Sequence, residues 1–247
     1  MVTTASALQV GALAGYGTAA TTAATSPSAL ALPAGWEEMW RQVYTPLLFH
    51  SQPEQTKLLA VASALDGEGK TTTALGLALT IAADLDVNVL LLDCNLINPS
   101  LSESVGAEEA PGVADWLRLN GHAPGHTALE YVTRRTALRN LSVVPCGRRV
   151  SNPSKLIRSA STADLLQTVR SKFDIAIMDT PSLLSSSDAR VLVSCADAAL
   201  LVVRAGVSTT HSVAKALSMM EGVANRAIVV NDFSTCIPKS LQQFFVS

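Results

Sequence analysis

Six short apolar runs, none of them alternating with polar residues, constrain what this chain can fold into. They occupy 57–63, 87–93, 141–145, 174–179, 198–203 and 227–230, and each is rich in Val, Ile and Leu. A strand with one wet face reads as apolar and polar by turns, so a continuous apolar run of this length predicts a strand buried on both faces. Between the runs lie stretches with helical spacing, notably 71–83, 153–169 and 210–222. Ahead of them, 35–49 places Met39, Trp40, Val43 and Tyr44 on one helical face until Pro46 interrupts it, which predicts a short amphipathic helix before the first strand. Strand alternating with helix predicts an α/β fold: a doubly wound, mainly parallel sheet with ligands at the carboxyl ends of its strands.

The first run leads into ALDGEGKTTT, residues 64–73. Two glycines, a lysine and a hydroxyl residue between a strand and a helix have the form of a triphosphate-binding loop. Backbone N–H groups around Gly67 and Gly69 can wrap phosphates because no side chain blocks their approach. Lys70 supplies positive charge to the β and γ oxygens, and the Thr71 hydroxyl suits Mg²⁺. The cradle comprises Ala64, Leu65, Asp66, Gly67, Glu68, Gly69, Lys70, Thr71 and Thr72. The strict pattern G-x-x-x-x-G-K-[ST] asks for glycine at position 64, where this chain has Ala64. Asp93 closes the run VNVLLLD and Asp179 closes IAIMD, so parallel pairing predicts both carboxylates at the same sheet edge as Lys70. A metal-bound triphosphate needs that set, with Thr71, Asp93 and Asp179 toward Mg²⁺ and Lys70 offsetting charge during transfer.

Composition narrows the alternatives. The net charge of -2 comes with scattered Lys and Arg, which argues against nucleic acid and against a polybasic membrane patch. Residues 1–34 carry no charge and are mostly Ala, Thr, Ser and Gly, the composition of a disordered leader rather than of a secretory signal or a spanning helix. Residues 35–247 then form a single domain. Cys94, Cys146, Cys195 and Cys236 stand far apart without C-x-x-C spacing, as reduced, mostly buried thiols of a cytoplasmic protein do. His50, His122, His126 and His211 share no ligand spacing and read as surface residues. Trp36, Trp40 and Trp116 read as packing anchors. The tail 241–246, with Phe244 and Phe245, reads as a packing or partner segment.

From Glu38 to Asn231 the chain resembles the bacterial tyrosine kinases of capsular and exopolysaccharide synthesis, a branch of the ParA/MinD-like P-loop ATPases. That family's phosphate loop reads like S-x-x-P-G-E-G-K-[ST]-T, matched by Ser63, Gly67, Glu68, Gly69, Lys70, Thr71 and Thr72. Residues 112–117 (GVADWL) resemble its G-L-x-x-x-L element. NLSVVPCGRRVSNPSKLIRS resembles N-L-x-V-x-P-x-G…N-P-x-x-L-L-x-S through Asn140, Pro145, Gly147, Asn152, Pro153, Leu156 and Ser159. The resemblance implies a P-loop NTPase fold, ATP and Mg²⁺ as cofactors, and γ-phosphoryl transfer to protein tyrosine or water, with Asp93 assisting the metal or acting as base. It also implies a membrane-embedded polysaccharide chain-length regulator as partner, recruitment to the inner face of the cell membrane, and a place for homo-oligomers. Asn231, at the end of the last run, corresponds to a residue near the adenine in related ATPases; a simple turn role is the other reading.

Several departures fall on the chemistry. The family's second acidic motif resembles D-x-D-x-R, and here it reads Asp93-Cys94-Asn95-Leu96-Ile97. Position 65, where ParA/MinD proteins carry a signature lysine, is Leu65, which counts against a positioning ATPase. The ring-assembly pattern E-x-x-R-x-x-R is met at two of its three positions, as Glu38-x-x-Arg41-x-x-Tyr44, which counts against ring formation. The tyrosines are Tyr16, Tyr44 and Tyr131, so no tyrosine-rich tail offers itself for autophosphorylation. These losses leave open a second reading, a catalytically weak nucleotide-binding regulatory partner.

Overall fold

A computed structural model describes residues 36–49, 57–107, 110–119, 122–123 and 126–232. The expected leader 1–34, His50, Cys236 and the tail 241–246 lie outside the described residues. In chain order the strands are β1 (Lys57–Ser63), β2 (Val89–Asp93), β3 (His122–Ala123), β4 (His126–Thr127), β5 (Arg134–Arg135), β6 (Leu141–Val144), β7 (Ile175–Asp179), β8 (Ala198–Arg204) and β9 (Asn225–Asn231). The helices are α1 (Glu37–Phe49), α2 (Lys70–Asp84), α3 (Ser100–Ser104), α4 (Val113–Leu119), α5 (Ala128–Val132), α6 (Pro153–Ile157), α7 (Ala160–Lys172), α8 (Ser187–Ser194) and α9 (Thr210–Met219).

Seven strands form one sheet in the order β5-β6-β2-β7-β1-β8-β9. Every pairing in it is parallel except the edge pair β5–β6. β3 and β4 make a separate two-stranded hairpin. Helices cover both faces, which explains the unbroken apolar runs. Leu58, Ala60, Ala62, Leu90 and Leu92 join one core with α4, α5, α7 and α8, while Leu59, Val61, Val89 and Leu91 join a second with α1 and α2. Alternate residues of each strand thus enter different cores, and neither set can be polar.

α1 does not stop at Pro46 but continues to Phe49. The proline removes one donor, and the buried stripe Trp40, Val43, Tyr44, Leu47 and Leu48 holds the rest of the helix against the second core. Trp40 lies over Gly76 of α2, where an added Cβ would come within 2.5 Å of the indole. The stretch 153–169 is two helices. Pro153 starts α6 behind the Asn152 cap, and Ser159, extended at ψ 159°, breaks the chain before α7. α3, α4, α5 and α8 span five to eight residues each, too few turns to show a period in the sequence.

Candidate active site

β1 ends at Ser63 and α2 begins at Lys70, so the residues read as a phosphate cradle are the six of the loop between them and the first three of α2. Gly67 at φ 78° and Gly69 at φ 96° take left-handed conformations that a side chain would strain. A Cβ on Gly69 would also fall 2.2 Å from Asn231 Nδ2. No side chain caps the N-terminus of α2, which leaves the N–H groups of its first turn for an anion.

The loop is held from three directions. The buried carboxylate of Glu68 accepts the Leu65 N–H at 2.7 Å and the hydroxyl of Ser208. Ser182, beyond β7, donates to Asp66 at 2.6 Å. Asn231, at the end of β9, donates to the Glu68 carbonyl at 3.0 Å. Ala64 is fully buried, so alanine at the first-glycine position packs into the core. Leu65 packs against the same core, and Thr72 is exposed. Lys70 is 6 % exposed, and its Nζ lies 3.8 Å from Asp66 Oδ1.

Asp93 and Asp179 are register partners on the adjacent strands β2 and β7, both fully buried. Their environments differ. Asp179 Oδ2 accepts the Thr71 hydroxyl at 2.6 Å, and its Oδ1 meets no donor. Asp93 Oδ1 accepts the Asn95 N–H at 3.2 Å, while Oδ2 accepts Ser102 N–H at 3.0 Å and its hydroxyl at 2.7 Å. Burial pushes Asp179 up to about 7, against the pull of the Thr71 hydrogen bond. Burial likewise raises Asp93 to about 6, against its three donors.

An orphaned carboxylate oxygen beside a hydroxyl on the first turn of α2 is an all-oxygen donor set, the kind a hard divalent cation takes. The residues present therefore fit Mg²⁺ at Thr71 and Asp179. Asp93 is differently placed, because three of its roughly four acceptor sites are already filled by the loop after β2.

That loop gives Asn95, one of the departures in the second acidic motif, a structural role. Asn95 Nδ2 donates to the Asn98 carbonyl at 2.8 Å, a bond no carboxylate could make, and Oδ1 accepts Asn98 N–H at 3.2 Å. Ile97 is 60 % exposed. Two residues that motif reading missed enter here: Ser100, whose hydroxyl lies 2.7 Å from that of Thr71, and Ser102, which also accepts Cys146 N–H at 2.8 Å. Neither belongs to a spacing pattern, so only the folded loop discloses them.

The residues of the ring-assembly pattern are engaged within the chain. Arg41 donates twice to Asp84, at 2.7 Å each, and its Nη1 reaches Glu38 at 3.3 Å. Tyr44 donates to Asp84 at 3.0 Å. Cys94 and Cys146 are buried with thiols pushed up by burial, to about 12 for Cys146, whereas Cys195 is exposed.

A parallel sheet with this loop after its first strand and two carboxylates at the same edge defines a P-loop nucleotide-binding protein. The AAA domain family matches residues 56–232. Tyrosine-protein kinase CpsD of Streptococcus agalactiae serotype Ia is 30% identical over 203 residues, 81% of this chain and 84% of that protein. Among solved structures, the VpsO kinase domain superposes with a TM-score of 0.70 at 28% identity, covering 80% of this chain and 95% of that one. The kinase domain of Escherichia coli tyrosine kinase ETK gives 0.77 at 23% identity, with 94% of each chain covered, a likeness of fold. The chain belongs to the AAA-domain family and, within it, to the bacterial tyrosine kinases of the CpsD type.

Proposed function

We propose that this protein binds Mg·ATP in the 64–72 loop and transfers the γ-phosphoryl group to protein tyrosine, with water as the competing acceptor. The observation that carries the reading is the Thr71–Asp179 pair at the mouth of a loop whose lysine is buried. The N–H groups around Gly67 and Gly69 bind phosphate oxygens, and Lys70 turns from Asp66 to the β and γ oxygens. Thr71 and Asp179 would hold Mg²⁺, which would supply charge neutralisation to the transferred phosphoryl group. Asp93 adds negative charge beside Asp179 and, through Ser102, holds the loop that brings Ser100 to Thr71. Its three accepted hydrogen bonds make it a positioning group rather than the acceptor of the substrate's proton. Asn231, which donates to the Glu68 carbonyl, is the residue proposed to lie beside the adenine.

By family membership, the process served is polysaccharide synthesis or export in the cytoplasm at the inner face of the cell membrane. The proposed partner is a membrane-embedded chain-length regulator. Among the described residues no helix is long and apolar enough to cross a membrane, which fits a partner that supplies the span. Arg41 and Tyr44, spent on Asp84, favour a chain that self-associates weakly.

The second reading, a regulatory module that binds ATP and scarcely turns it over, is favoured by one observation: Asn95 spends its amide on loop structure. Incubation with labelled ATP and Mg²⁺, with and without a candidate regulator fragment, separates the two. Phosphate release or phosphotyrosine that Lys70→Ala abolishes supports the kinase. Tight binding without turnover under every condition sinks it.

A further inference from the structure

A cavity of about 350 Å³ opens between α4 and the segment that runs from the β6 loop into α6. Arg118, Arg149 and Lys155 line it together with Ser151, Val150 and Leu156. The three cations are exposed, and among the described residues none has a carboxylate within ion-pair distance. Arg41, Arg158, Arg170 and Arg204, by contrast, each have one. Val150 and Leu156 are partly buried against the core, so the cavity combines a cationic rim with an apolar wall.

Its frame is rigid. Val113 and Ala114 donate their N–H groups to the Pro145 and Cys146 carbonyls at 2.8 Å each. Asp115 Oδ2 accepts the N–H groups of Gly112 and Arg148 at 3.1 Å each. The contact is close enough that a Cβ on Gly112 would lie 2.0 Å from the Pro145 carbonyl oxygen. Gly112, Pro145 and Gly147, which the nucleotide site leaves unexplained, thus serve to dock α4 on the β6 loop and shape this cavity.

We propose that the cavity binds a phosphomonoester, a dianionic phosphate on a body with an apolar face. Two guanidinium forks match phosphate oxygens and Lys155 adds a point charge, while Val150 and Leu156 receive the body. The volume falls within the range of small-ligand sites. A phosphorylated side chain and a sugar phosphate share this chemistry. β6 stands three strands from β1, roughly 14 Å along the sheet, and the chain that leaves its carboxyl end, on the same rim as the phosphate loop, supplies Arg149, Val150 and Ser151 to the cavity.

The test uses the full chain carrying Lys70→Ala, which disables the phosphate loop. Calorimetric titration with phosphotyrosine, glucose 1-phosphate and inorganic phosphate gives saturable binding of at least one ester, at least about tenfold tighter than inorganic phosphate. Arg118→Gln and Arg149→Gln each weaken that binding about tenfold, and Arg190→Gln, an exposed arginine elsewhere, leaves it unchanged. Thermal melts of each variant check folding. Binding of phosphotyrosine alone assigns the source to a phosphorylated protein, and binding of glucose 1-phosphate alone assigns it to a sugar phosphate. Equal affinity for inorganic phosphate and both esters, insensitivity to both arginine substitutions, or no saturable binding overturns the proposal.

Discussion

The hydroxyl of Thr71 donates to Asp179 Oδ2 at 2.6 Å, joining the first turn of α2 to the end of β7, while Oδ1 of the same buried carboxylate meets no donor. One bond therefore fixes the carboxylate and leaves its other oxygen uncommitted. A cation placed there gains a ligand that water cannot reach and the protein does not otherwise use.

Asp179→Asn keeps the shape and removes the charge. Half-saturation by Mg²⁺ in the turnover assay is expected to rise about 10- to 100-fold, with metal-free nucleotide binding little changed. An unaltered Mg²⁺ dependence would remove Asp179 from the metal site.

The raised carboxylates also set a pH dependence. With folded values of about 7 for Asp179 and about 6 for Asp93 against an ordinary 3.8, the folded chain holds more protons than the unfolded one between those limits. Their contribution to stability is therefore full at low pH and is lost as pH rises through about 6 to 7. Urea midpoints measured without Mg²⁺ are expected to fall from pH 5 to pH 8, and Asp179→Asn to flatten the decline. A flat profile for the unsubstituted chain counts against this account.

Asp66 puts a negative charge 3.8 Å from the Lys70 ammonium, in a loop that binds anions. Its side chain is 64% exposed, so the pair is weak, and Asp66→Asn keeps an acceptor for Ser182 while removing the charge. Nucleotide affinity in fluorescence titration is expected to rise by about two- to fivefold. A loss of affinity would mean that Asp66 supports the loop more than it opposes the phosphate.

Gly76 sits inside α2, where alanine ordinarily stabilises by about 1 kcal/mol. Here the added methyl would meet the Trp40 ring at 2.5 Å, so Gly76→Ala is expected to cost about 1–3 kcal/mol in urea unfolding, through overpacking between α1 and α2. A more stable variant would show that the indole moves aside freely.

Arg41 holds Asp84 below its ordinary value, chiefly through its hydrogen bonds. That stabilisation is present above the ordinary carboxylate pKa and is lost as pH falls through the depressed one. Arg41→Ala is expected to move the acid-unfolding midpoint upward and to leave sedimentation unchanged. Loss of an oligomer on substitution would return Arg41 to ring assembly.

Much of this is legible in the sequence alone. The six runs placed six of the seven sheet strands, and the closing aspartates of two of them are register partners. β5 escaped because two residues, Arg134 and Arg135, carry no pattern. Pro46 misled because its cost is local while the packing of Leu47 and Leu48 is not. The loop read as a phosphate cradle does run from β1 into α2, and the glutamate within it is an internal strut to Leu65 and to Ser208, a partner 140 residues away.

Local periodicity determined the architecture, since a strand with no polar position has nowhere to lie but between two covered faces. Residue type and spacing also determined that a lysine, a threonine and two aspartates would share one edge. Only the tertiary structure decided how those acids divide the work. Asp179 draws its partner from 108 residues away and keeps one oxygen free, whereas Asp93 is filled by Ser102, nine residues on. Which acceptor is satisfied depends on donors brought together by folding, and no spacing in the chain records it.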